Sequence, residues 1–199
     1  MKTHRFFPVA TITAVISLLL LASSVFSENT LMAYRGQVEI DFAGKSTLHA
    51  FEGTGESKPF TLSVRVDSVS GDTLLDATIS VRSEALATED EKLNKNMYKT
   101  IESDTYPTIT AWLQEIPLKD MRSPDGQFQF RLKVRDITSR ITASVSNFSQ
   151  SPDSVMFALT FDFSISDYQL EPPTPVFGLI KMDDIMNISC RFRMESVKE

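Results

Sequence analysis

Val155-Met156-Phe157-Ala158-Leu159-Thr160-Phe161-Asp162-Phe163-Ser164-Ile165 decides the fold. Its large apolar residues fall on every second position, with small or polar residues between most of them. A period of two belongs to a strand with one face on a core and the other in water. The pattern spreads outward from there. Upstream it recurs in Val38, Ile40 and Phe42; in Phe60, Leu62, Val64 and Val66; and in Leu75, Ala77, Ile79 and Val81. It continues in Ile109, Ala111 and Leu113, in Phe128, Phe130, Leu132 and Val134, and in Ile141, Ala143 and Val145. Downstream it closes the chain with Met186, Ile188, Cys190, Phe192 and Met194. Ser70-Gly71-Asp72, Pro124-Asp125-Gly126 and Ser151-Pro152-Asp153 are turn signals between these runs. About eight strands with no helix alternating between them predict an antiparallel all-β domain. So many strands must form a sandwich or a closed barrel, because open sheet edges invite aggregation.

One segment breaks the period. Thr88-Glu89-Asp90-Glu91 has the spacing of a capping box, and Leu93, Met97 and Ile101 then repeat every four residues. Acids at the start and Lys92, Lys95 and Lys99 further on suit the helix dipole. An amphipathic helix over 89–102 is expected, ended before Pro107, and its apolar stripe must cover something. A barrel mouth is a natural place.

The start of the chain reads as a secretory signal. Lys2, His4 and Arg5 precede an uncharged apolar run from Phe6 to Ala22, and small residues lead to Ser27. Cleavage there is expected to leave a domain of residues 28–199 in the periplasm or outside the cell. Losing Lys2 and Arg5 takes the net charge from −6 to −8.

Composition removes several functions. An acidic chain with no basic block is a poor partner for nucleic acid. One cysteine allows no internal disulfide, and two histidines do not build a Cys/His zinc site, so no metal is expected. Gly44-Lys45-Ser46 lacks the earlier glycine of a phosphate loop, whose place Glu39 takes, and Gly53-Thr54-Gly55 is too short for a dinucleotide site. Asp183-Asp184 reads as solvated surface. Cys190 has core parity and reads as a small hydrophobe. His49 is the one histidine left after cleavage, and no serine sits in an elbow motif to partner it.

What remains is the apolar face, rich in phenylalanine. An eight-stranded barrel is the size at which side chains either fill the interior or leave room for one small ligand. Parity alone does not choose between the two.

The chain also resembles the YceI-like family of exported bacterial lipid-binding proteins. The resemblance runs over most of residues 34–194. It is carried by Ser46-Thr47-Leu48-His49-Ala50-Phe51-Glu52-Gly53, by Met97-Tyr98 before Tyr106-Pro107-Thr108-Ile109, and by Leu132-Lys133-Val134-Arg135-Asp136-Ile137-Thr138. Ser166-Asp167-Tyr168 followed by Pro172-Pro173, Gly178 and Lys181 completes it. The stretch Glu91–Met97 and Asp136 depart from the family pattern. The resemblance implies an eight-stranded antiparallel lipocalin-like barrel with one inserted amphipathic helix. It implies a polyisoprenoid or quinone-type lipid held inside, with no other cofactor required.

On that reading Phe42, Phe51, Phe60, Leu62, Phe128, Phe130, Phe157, Phe161 and Phe163 line the barrel. Leu93 and Met97 belong to a movable lid, and His49 touches a polar head. The candidate partners are the apolar lipid and, in a homodimer, a second copy of the chain. Two alternatives stay open: a structural or protein-interaction domain with a filled core, and an enzyme using His49 as general base, the last ranked of the three.

Overall fold

The computed structural model describes residues 30–67, 71–172 and 182–197. The expected signal segment 1–27 and the motif residues Ser70, Pro173, Gly178 and Lys181 lie outside the described residues.

Among the described residues ten strands make one antiparallel sheet. They are β1 (Thr30–Lys45), β2 (Ala50–Glu56), β3 (Phe60–Val66), β4 (Thr73–Arg82), β5 (Ala87–Thr88), β6 (Thr108–Pro117), β7 (Gln127–Val134), β8 (Ile137–Gln150), β9 (Ser154–Ser164) and β10 (Ile185–Ser196). Helix α1 (Glu91–Thr100) lies between β5 and β6, and the short helix α2 (Leu118–Arg122) follows β6.

Two pairs of these strands are halves of longer ones. β1 pairs with β3 along its first part and with β2 along its last. The break between them falls at Pro59, which has no N–H to give a ladder. Ser57 fills the gap: its Oγ accepts from Val38 N at 3.0 Å and donates to the Lys58 carbonyl at 2.9 Å. β4 pairs with β3 and β5 with β2 in the same way. Counted as long strands, eight run up and down, each bonded to the next. β10 then returns to β1 over Tyr34–Ala43 and closes the barrel.

Four local features differ from the sequence reading. β2 escaped it because Gly53 and Gly55 occupy the inward positions where apolar side chains were sought. In β4, Leu74 rather than Leu75 is buried, since a bulge at Leu75 shifts the register against β3. Helix α1 is capped by Asp90, whose carboxylate accepts from Lys92 N at 2.8 Å and Leu93 N at 3.1 Å. Thr88 is instead engaged with Asn94 at 2.8 Å. Helix α2, only five residues long, is too short to show a helical period.

The two ends of the barrel are packed differently. At the α2 end, Tyr34, Leu62, Leu74, Leu118, Met121 and Met194 fill the interior, each less than 2 % exposed. Leu118 and Met121 come from α2 and stop that end. The Tyr34 hydroxyl donates to the Ser151 carbonyl at 3.0 Å, so its polar tip is satisfied there. Midway along the axis Phe157 and Phe192 stack at 4.1 Å, and Phe60 meets Phe192 edge-on at 6.3 Å. Above this layer, toward α1, the barrel is hollow.

Candidate functional site

The hollow is a cavity of about 430 Å³ that opens at the α1 end. Its wall comes from all eight long strands except the one formed by β8, and α1 lies beside the opening. The wall is apolar: Ile40, Ile79, Val81, Ile109, Phe130 and Ile188 are representative. Polar groups gather at the opening, where Ser46, His49, Thr88, Asp90, Lys92 and Asn96 form part of the rim.

Of the residues named from sequence, Phe42, Phe51, Phe130, Phe161 and Phe163 border the cavity, and Leu93, Met97 and His49 border its opening. Phe60, Leu62, Phe128 and Phe157 do not. They share inward parity with the others but lie outside the cavity lining. Phe60, Leu62 and Phe157 belong to the filled half, and Phe128 packs against Phe130 at 6.3 Å. Sequence reasoning passed over Leu86, Met182 and the lining role of Ile79, Val81 and Ile109. The strand period already placed the last three inward, so the signal was present for them. For Leu86 and Met182, which lie outside the long strands, it was not.

The hollow persists where it does because two rings on its wall lie flat. Phe42 is the cross-strand partner of Gly53, and Phe51 is the partner of Gly44. A Cβ built on either glycine would run into the ring opposite. Each phenylalanine therefore covers backbone instead of reaching into the lumen, an aromatic ring laid over the glycine beside it.

Helix α1 has no fully buried residue. It is held by polar ties: the Tyr98 hydroxyl donates to the Leu86 carbonyl at 2.8 Å, and Asn94 accepts from Thr88 N at 2.7 Å and donates to the Thr88 carbonyl at 2.9 Å. Leu93 and Met97, half-buried, face the opening.

The titratable groups near the cavity suit shelter better than chemistry. Burial pushes the Cys190 thiol up to about 12; Asp41 adds to the rise and Arg191 opposes it. A protonated thiol is a poor nucleophile. Burial likewise raises Tyr168 to about 12, against a smaller lowering by the Ser139 hydrogen bond. Its hydroxyl donates to the Leu132 carbonyl at 3.1 Å, and its ring stacks on Phe163 at 4.8 Å. Asp184 is exposed, but it is more than solvated surface. It accepts from Ser164 Oγ at 2.8 Å and Ser166 N at 2.7 Å, which lowers its pKa and pins the turn after β9. Among the described residues no three His, Cys, Asp or Glu side chains converge to hold a metal ion.

No protein-family profile and no curated protein matches the chain. Solved structures do. A polyisoprenoid-binding domain from Saccharophagus degradans, described as implicated in plant cell wall breakdown, superposes with a TM-score of 0.55 at 11% identity, covering 84% of this chain and 100% of that one. BcnA of Burkholderia cenocepacia gives 0.55 at 14% identity over 79% of this chain and 95% of its own. The YceI protein of Campylobacter jejuni gives 0.52 at 14% identity over 74% and 85%.

The chain has the YceI fold. The identities are low enough that the likeness speaks for architecture alone.

Proposed function

We propose that the protein, as a member of the YceI-like family, binds the apolar tail of a long-chain lipid inside its barrel. The tail is of polyisoprenoid or quinone type, and the polar head rests at the α1 rim near His49, Ser46 and Asn96. The protein acts without catalysing a reaction on its ligand, in the periplasm or outside the cell, after residues 1–27 are removed.

The observation that carries this reading is the apolar cavity of about 430 Å³, open at one end. That volume lies within the range of about 300–1,000 Å³ usual for small-ligand pockets. Moving hydrocarbon from water onto such a wall is favourable by roughly 25 cal/mol per Å² buried, and an uncharged chain needs no other attraction. The likeness to a polyisoprenoid-binding domain supports the ligand class. The filled-core alternative describes the α2 half of the barrel but not the α1 half. Among the described residues nothing favours the enzyme alternative with a base and nucleophile in contact: His49 is exposed at the rim, and Cys190 holds its proton.

The test is to express the full chain in an exporting bacterium, recover it from the periplasmic extract, and determine its N-terminus and bound lipids by mass spectrometry. An N-terminus near Glu28 and a co-purifying prenyl lipid are expected. Protein that is always empty, and that takes up neither quinone nor polyprenol, would overturn the reading.

A further inference from the structure

The cavity has a floor, and the floor is made of rings. Phe192 borders the cavity, whereas its cross-strand partner Phe157, stacked on it at 4.1 Å, does not. Phe60 closes the other flank of Phe192, edge-on at 6.3 Å. Beyond them Leu62, Tyr34 and Met194 leave no exposed surface. A chain entering from the α1 end therefore meets a packed aromatic layer part-way along the barrel, not a through-tunnel.

Depth limits length. Met186 and Phe192, both in the lining, lie six residues apart on β10, about 20 Å along the strand and, at the tilt of about 35–45° usual for barrel strands, about 15 Å along the axis. That is about the length of three isoprene units. We infer that Phe192, backed by Phe157 and Phe60, is a chain-length gauge: the barrel shelters about three isoprene units, and any longer tail leaves its remainder at the α1 opening. This inference rests on the lipid-binding reading above and adds to it the size of the group recognised and the residue that sets it.

The physical consequence is a break in a homologous series. Each isoprene unit that enters the lumen loses apolar surface to the wall and should raise affinity by roughly tenfold or more. A unit that stays outside adds little.

The experiment measures dissociation constants of geraniol, farnesol, geranylgeraniol and a longer polyprenol, all below their aggregation limits, for delipidated mature protein. Affinity is expected to climb from geraniol to farnesol and then to level off. Phe192→Ala removes the ring bordering the cavity and should move the levelling to geranylgeraniol or beyond. If that protein does not fold, Phe192→Leu carries the test with a smaller shift in the same direction. Affinity that keeps climbing by similar factors past farnesol in the unaltered protein would overturn the gauge. So would a break that stays at farnesol in a folded Phe192 variant. Those outcomes leave lipid binding standing, whereas failure of every alcohol to bind would remove the proposed function and the gauge together.

Discussion

Phe51 lies across Gly44, its partner in the β1–β2 ladder, so that its ring covers the wall of the barrel instead of crossing it. The relation repeats one step away with Phe42 and Gly53, and together the pairs keep two large side chains out of the lumen they border.

Gly44→Ala should therefore narrow the cavity without breaking the fold. The nearest atoms to a Cβ at Gly44 are those of the Phe51 ring, which is free to swing inward. Gly53→Ala meets the Ala87 carbonyl as well as Phe42, so backbone must move, at a cost of about 1–3 kcal/mol. Urea midpoints should stay near the parent value for the first variant and fall for the second, while lipid recovered by solvent extraction falls in both.

Phe157→Ala and Phe161→Ala separate the filled half from the hollow one. Phe157 is 3 % exposed and stacked on Phe192, so its loss should cost about 3–5 kcal/mol. Phe161 is half-buried beside the cavity, with Phe130 at 5.3 Å, and its truncation should cost less than half as much. Equilibrium unfolding gives the first difference. Faster ligand loss, confined to Phe161→Ala, gives the second.

Alkaline pH should weaken the fold. Tyr168 and Cys190 both hold their protons more tightly when folded, at about 12 against 10.0 for the free phenol and 9.0 for the free thiol. The folded protein thus binds more protons than the unfolded chain above pH 9, and stability falls as pH rises from there toward 12. Tyr168 alone accounts for a loss of about 3 kcal/mol across its window. Denaturant titrations from neutral to strongly alkaline pH should show this decline, with a shallower slope in Tyr168→Phe.

The same burial shields the chain's one thiol. At neutral pH Cys190 should react with iodoacetamide far more slowly than a free cysteine, and urea should restore the ordinary rate. Because Cys190 lines the cavity, adding farnesol to delipidated protein should slow the reaction further. Equal rates with and without lipid would place the ligand elsewhere.

Helix α1 should open before the barrel does. Asn94→Ala removes its hydrogen bonds to Thr88, and Tyr98→Phe removes the one to Leu86, each net bond being worth about 0.5–1.5 kcal/mol. Hydrogen exchange should accelerate in Glu91–Thr100 and not in β7 or β9. Ligand exchange should accelerate with it if Leu93 and Met97 gate the opening.

Much of this architecture was legible in the sequence. Strand alternation in Val155–Ile165 and its seven companion runs dictated an antiparallel sheet, because a side chain on a strand has only two faces to choose from. Leu93, Met97 and Ile101 marked the helix, since three residues at that spacing share one of its faces. The broken strand at β2 was not legible, because Gly53, which the Phe42 ring covers, and Gly55 leave two of its inward positions without an apolar side chain.

What alternation leaves out is position along the barrel axis. Phe157 and Phe161 sit on one strand with one parity, four residues and about 13 Å apart. One is stacked into the plug and the other faces the hollow. The sequence by itself determined that both point inward. Only the tertiary structure decided which of them is buried in the filled half and which borders the cavity. That depends on rings and methyl groups brought from β3, β10 and α2, whose meeting is set by the closure of the barrel and not by anything local to β9.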